Sequence, residues 1–336
     1  MASAIIASCL LPVPHLRHVE AQGEVWEVQQ HSSVQSAVPL TGVTSSTKNP
    51  LQIAILHWYN ANLTTSFAVG SVPNGVAFDG ADIWVTDSGS GGVTELLAST
   101  GATLGTFSVG TTPTGVAFDG ANIWVANEAS NNVTKLLAST GAVLGTFSVG
   151  GLPNGVAFDG ANIWVANGGS NTVTKLLAST GATLGTFFVG SGPSGVAFDG
   201  ANIWVTNTGS NTVTKLRAST GATLGTFSVG TTPEGVAFDG AEVWVANASS
   251  KTVSKLRAND GTVLGTFSVG SLPTGVAFDG ANVWVTNYGS NNVTKLLAST
   301  GAVLGTFAVG TQPAGVAFDG ANIWVANFGS STASKL

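Results

Sequence analysis

TTPTGVAFDG ANIWVANEAS NNVTKLLAST GAVLGTFSVG, residues 111–150, is the stretch from which the fold can be read. It holds four short apolar runs, at 115–118, 122–126, 132–137 and 143–149. Val, Ile, Phe, Trp and Thr dominate them, and runs of that length and type favour strands over helices. Turn signals separate them: Asp119-Gly120, Ser130-Asn131 and Ser139-Thr140-Gly141. Asp-Gly suits a tight hairpin because glycine accepts positive φ without steric cost. No part of the stretch offers a capped helical pattern. It therefore reads as an antiparallel meander of strands A, B, C and D.

The same unit recurs along the chain. Pro-x-Gly-Val-Ala-Phe-Asp-Gly begins at Pro73, Pro113, Pro153, Pro193, Pro233, Pro273 and Pro313, with no insertion or deletion between copies. A fixed period of this size marks one supersecondary unit that buries its apolar face against its neighbours. Four strands in such a period match a propeller blade. Strand B, Ile123-Trp124-Val125-Ala126, is apolar on both faces, as a sheet covered on both sides requires. The seven Trp at 84, 124, 164, 204, 244, 284 and 324 are read as packing between blades rather than as platforms for a sugar.

The last copy stops at Leu336 after strand C, while 63–70 matches a D strand in phase, with Phe67 and Val69 aligned to Phe107 and Val109. The expected fold class is all-β: a seven-bladed β-propeller of four-stranded antiparallel blades, closed by an N-terminal strand completing the last blade. Residues 51–60 resemble a decayed C strand, which leaves open a closure with two donated strands. The expected division is an N-terminal tail over 1–50, disordered or a targeting segment, and the propeller over 51–336.

Composition narrows the functions. Only 8% of residues are charged and the net charge is −6, with no basic stripe. Nucleic acid and anionic membrane are therefore disfavoured as partners. No apolar run is long enough to span a membrane. Cys9 is the only cysteine, so no disulfide forms within one chain. All four histidines, His15, His18, His31 and His57, precede the repeats. The repeats thus lack the side chain most used for proton transfer near neutral pH and the softer metal ligands, and no cofactor is implied.

The motifs Gly-Val-Ala-Phe-Asp-Gly, Ile-Trp-Val-Ala-Asn or Ile-Trp-Val-Thr-Asn, and Gly-Ser-Asn-Thr-Val-Thr-Lys-Leu resemble the YVTN β-propeller repeat family over 63–336. Trp-Val-Thr-Asn stands at 204–207 and 284–287 where the family name records Tyr-Val-Thr-Asn. The resemblance implies an interaction scaffold, since that family includes cell-surface and surface-layer proteins. More distant enzyme relatives are seven-bladed streptogramin lyases, which use histidine and a metal ion, and lactonase-like propellers, which hold a metal with carboxylate and amide oxygens. The repeats offer no histidine to match the former.

Variation between copies points to one face. The A–B and C–D turns barely change. Just before strand A the copies read Asn74, Thr114, Asn154, Ser194, Glu234, Thr274 and Ala314, and in the B–C loop Ser88, Glu128, Gly168, Thr208, Ala248, Tyr288 and Phe328. The D–A/B–C loop face is the candidate binding surface, unless these loops have simply drifted. Asp87, Glu128, Glu234, Tyr288 and Phe328 are its candidate residues, with two aromatics and nearby acids suited to a sugar or a peptide. The repeated Asp at 79, 119, 159, 199, 239, 279 and 319 looks like a carboxylate ring but reads as Asx-turn chemistry. Lys135, Lys175, Lys215, Lys255, Lys295 and Lys335, with Glu95 at the same offset, are expected to face solvent.

Residues 4–13 make a poor secretion signal, being short and without a basic start. Ile6-Ala7-Ser8-Cys9 resembles a bacterial lipoprotein lipobox, and a different start codon would reconcile its position. Ser334-Lys335-Leu336 has the form of a peroxisomal address but is also the repeat's own strand C. The leading expectation is a non-enzymatic, monomeric scaffold at the cell envelope or outside the cell that binds a protein or glycan. The alternative is a propeller-type hydrolase or lyase using carboxylates or a hard metal ion at the channel mouth. A third reading is recent duplication with little selected function.

Overall fold

The computed structural model describes residues 65–336. The expectations for 1–50, for Cys9 and for a second donated strand at 51–60 lie outside the described residues. Those described form 28 strands and no helix, in seven four-stranded antiparallel sheets. Blade 2 is typical: A is Pro113–Phe118, B is Asn122–Asn127, C is Asn132–Leu137 and D is Val143–Ser148. The chain is a seven-bladed β-propeller.

Each strand B alternates, and both of its faces are covered. Trp84 and Val93 of blade 1 bury against Ile123, Val125 and Leu136 of blade 2. Trp84 is fully buried. The same arrangement recurs around the ring. Trp124 also packs against Phe147 of its own strand D, the rings tilted by 34° with centroids 5.5 Å apart. The reading of the tryptophans as packing between blades therefore holds.

Closure follows the expected route. Thr65–Ala68 pairs with Thr332–Lys335 and serves as strand D of blade 7, whose order is 65–68, 332–335, 323–327, 313–318. Phe67 lies 5.4 Å from Trp324, where Phe147 lies from Trp124 in blade 2. Trp324 in turn packs on Ile83, Val85 and Leu96 of blade 1.

Strand A lines the axis and carries a bulge. In blade 2 the register steps from Pro113↔Asn127 to Val116↔Val125, so one residue of 114–115 is extra. Such a bulge releases side chains from the ladder and re-aims them at the rim. The adjacent Gly115 is needed because a Cβ there would strike the carbonyl of Asn154 in the next blade. Glycine lets seven inner strands converge on a narrow axis.

The lysines do not face solvent. Lys135, Lys175, Lys215 and Lys255 are only 5–7% exposed. Strand C lies with both faces covered, and Lys135 stands opposite Trp124 in register. Its ammonium sits 5.1 Å from the indole centroid and donates to the carbonyl of Ala178 in the next blade at 2.7 Å. The stem covers apolar surface while the head reaches a polar partner at the lower rim. The expectation that these lysines face solvent is thus overturned: the neighbouring blade covers that face.

Phe67→Ala is expected to lower unfolding stability by about 2–3 kcal/mol in denaturant titration. Hydrogen exchange should then accelerate first in Ile323–Asn327 and Thr332–Lys335, not in Asn202–Asn207. Uniform acceleration would mean the latch is not at Phe67.

Candidate functional site

The upper end of the axis opens into a hollow of about 310 Å³. Its wall is built from the bulge residues of all seven A strands, Asn74-Gly75 through Ala314-Gly315, together with Tyr288 and Phe328. Bonds such as Glu128 N–H to the carbonyl of Thr112 tie each B–C loop to the D–A loop beside it. That tie sets Tyr288 and Phe328 at the rim, where their rings meet edge to face at 5.7 Å.

The polar groups differ in how far they are engaged. Thr114 and Thr274 donate their hydroxyls to backbone carbonyls of the next blade, at 3.1–3.3 Å. Ser194 donates to the Glu234 carboxylate at 3.1 Å. Burial pushes the Glu234 carboxyl above its usual range, and the Ser194 hydroxyl only partly offsets this. The amides of Asn74 and Asn154 have no hydrogen bond to the described protein. The mouth therefore presents free amide donors and acceptors, one carboxylate and an aromatic pair.

Three of the five expected face residues, Glu234, Tyr288 and Phe328, meet in this hollow. Glu128 lies half-buried in its B–C loop and Asp87 is fully buried, and neither lines the hollow. Asp87 ends strand B of blade 1, where the other blades have Asn127, Asn167, Asn207, Asn247, Asn287 and Asn327. Those asparagines donate to the strand-C hydroxyl, as Asn127 does to Thr134 at 2.9 Å. In blade 1 the direction reverses and Thr94 donates to Asp87 at 2.6 Å. Burial raises the Asp87 carboxyl to about 6, against the pull of that hydroxyl.

The repeated turn aspartates do what their spacing suggests, and more. Asp119 Oδ1 accepts from the backbone of Ala121 and Asn122, and Oδ2 accepts from Trp124 Nε1 at 2.7 Å. Burial alone would raise the Asp119 carboxyl, but the bonds from Trp124, Asn122 and the backbone outweigh it and hold it low. Asp79 of blade 1 keeps these bonds, but it has acidic neighbours. Asp79, Asp82 and Glu95 bring carboxylate oxygens within 4.8 Å of one another on the lower face. Burial, then the charges of Asp82 and Asp79, push Glu95 up to about 7. The cluster was not singled out from sequence, although two departures from the repeat in one unit, Asp82 for Asn and Glu95 for Lys, signal it.

No family model and no curated protein matches the chain. Solved structures do match its fold. Hydrazine synthase from Kuenenia stuttgartiensis superposes with a TM-score of 0.71 at 19% identity, over 79% of this chain and 95% of that one. A streptogramin B lyase gives 0.71 at 18% identity, over 81% and 96%. Selenomethionine-substituted virginiamycin B lyase from Staphylococcus aureus gives 0.71 at 16%, over 81% and 98%. At these identities the likeness is one of fold, and function has to be argued from the site.

Asp87→Asn is expected to stabilise the protein in a pH-dependent way. The folded-state pKa of about 6 exceeds the ordinary 3.8, so folding favours the protonated acid. The penalty on the charged form is absent below about pH 4, grows up to about pH 6 and is full above it. The variant should gain about 1–2 kcal/mol at pH 8, allowing for partial solvent screening, and almost nothing at pH 4. Thermal melts across that range check it; an equal gain at both ends would mean the charge is not the cause.

Proposed function

We propose that this propeller is a non-enzymatic binding scaffold of the YVTN kind, monomeric, which takes a glycan or protein on its D–A/B–C loop face at the cell envelope or outside the cell. The observation that carries the reading is the Tyr288–Phe328 pair standing over a hollow lined by unengaged amides. A sugar ring offers apolar C–H faces to an aromatic and hydroxyls to amides. That match favours a glycan over a protein.

The single carboxylate supports the same reading. Paired-carboxylate chemistry, as in glycoside hydrolysis, needs two acids flanking the reacting bond. Glu234 is the one carboxylate among the residues lining the hollow. A hydrolase or lyase is the competing reading, favoured by the raised Glu234 carboxyl and by the fold shared with streptogramin B lyase.

A panel of neutral and acidic oligosaccharides, read by calorimetry, tests the proposal. Tyr288→Ala with Phe328→Ala should weaken binding of a hit by roughly a hundredfold, on the scale of losing two aromatic anchors. Glu234→Gln should have a smaller effect and Glu128→Gln none. Affinity unchanged in the double variant sinks the site, and turnover of the bound sugar that vanishes in Glu234→Gln would establish the enzyme instead.

A further inference from the structure

The lower seam between blades 1 and 2 is chemically unlike the others. In blades 2, 3, 4 and 5 the strand-C ammonium donates to a carbonyl of the next blade: Lys135 to Ala178, Lys175 to Ala218, Lys215 to Ala258 and Lys255 to Ala298, at 2.6–2.8 Å. Lys335 of blade 7 does the same to Ala98 of blade 1 at 2.7 Å. Each of these five carbonyls thus accepts from a cation. Lys295 of blade 6 keeps the place over its indole, at 4.7 Å from the ring centroid of Trp284. In the seam between blades 1 and 2 the counterpart pair is Glu95 and Ala138, 43 residues apart like Lys135 and Ala178. There a carboxylate stands at the lysine's place, and the Ala138 carbonyl accepts no hydrogen bond from the described protein.

A second substitution compounds the first. In blade 2 the Asn122 amide donates to both oxygens of Asp119 at 3.0 Å. Blade 1 has Asp82 at that position, so a donor becomes another anion. Asp82 Oδ1 is buried without any hydrogen-bond partner. Glu95 is 9% exposed, its side chain makes no hydrogen bond or ion pair among the described residues, and its carboxylate lies close to those of Asp79 and Asp82. Blade 5 shows how the fold treats a comparable acid: Glu242 replaces the asparagine, and Lys255 pairs with it at 3.0 Å. Blade 1 has the extra acid without the lysine.

We propose that Asp79, Asp82 and Glu95 form a binding site for Ca²⁺, which joins blades 1 and 2 at the lower seam as the lysine ammonium joins five of the other seams. All the donors are oxygens, and three are carboxylates, a set that suits a hard divalent cation. Calcium accepts irregular shells of carboxylate, carbonyl and water oxygens, and the Ala138 carbonyl is the neutral oxygen the repeat geometry supplies. Crowded, partly buried charges of one sign are paired, bound to metal or neutralised by a proton, and a divalent cation answers all three carboxylates at once. The ion has a structural part here. It lies at the end of the axis opposite the hollow, so its presence or absence leaves the mouth chemistry untouched.

The test uses the full chain, freed of metal by chelator and exchanged into buffer at pH 7.5. Calcium chloride should raise the melting temperature at concentrations where sodium chloride of equal ionic strength does not. Terbium, a calcium stand-in, should luminesce on tryptophan excitation because Trp84 Nε1 is hydrogen-bonded to Asp79. Glu95→Lys restores the repeat's own ammonium and should fold, yet lose both responses, with calcium affinity down by roughly tenfold or more. Glu95→Gln, which keeps the shape without the charge, should also weaken binding. Absence of a calcium response in the folded chain, or a response undiminished in Glu95→Lys, overturns the site. So does a wild type that calcium leaves unchanged but that Glu95→Gln stabilises, since a proton would then be relieving the cluster.

Discussion

The indole of strand B is the constraint on which the rest of the propeller rests. Each of the seven is pinned twice. Its Nε1 donates to the turn aspartate at 2.7–2.8 Å, and its rings lie between a phenylalanine of its own blade and the branched aliphatics of the next. The polar edge of a buried indole needs a partner, and the same aspartate also closes the A–B turn. One side chain therefore couples turn geometry to blade packing. In five blades a lysine laid along the indole carries that coupling to the lower rim of the next blade. With so much decided by invariant residues of the repeat, the individuality of the molecule is confined to places the repeat does not need.

Those places lie at opposite ends of the axis. At the upper end the bulge frees one residue per blade from the ladder, and seven different copies of it surround one hollow. There the variation costs little, because these side chains project into the hollow and no ladder bond depends on them. At the lower end the repeat is nearly constant, so two coincident changes in blade 1 carry more weight. They exchange an amide and an ammonium for two carboxylates in a seam that elsewhere balances its charges. Asp87 is a third acid peculiar to blade 1, but it is enclosed beneath its loop, held by the Thr94 hydroxyl and by backbone bonds from Gly70 and Thr94.

Much of this was legible from the chain. The forty-residue spacing of Pro-x-Gly settled the number of blades, and alternation settled the strands. Phe67, in phase with Phe107, revealed the latch. The aromatic pair could be found because Tyr288 and Phe328 share an offset in adjacent copies. What was misread were residues whose meaning depends on a covering neighbour. Lys135 looks like a surface charge in a period-2 pattern, and Asp87 looks like a loop acid. Neither pattern says whether a second sheet lies against that face. Glu95 and Asp82 stand 13 residues apart, and only the pairing of Trp84 with Glu95 and Asp82 with Leu97 brings them to one face.

The sequence alone therefore determined the blade, its number and its closure, because these follow from local periodicity and from a repeat that must bury its own apolar faces. The tertiary structure decided which polar groups are spent and which are free. Hydrogen-bond satisfaction and burial depend on groups forty residues away or across the ring, and periodicity does not specify them. That is why the seven inner strands can be counted in the text, while the engagement of Thr114 and the isolation of Glu95 appear only when the blades stand side by side.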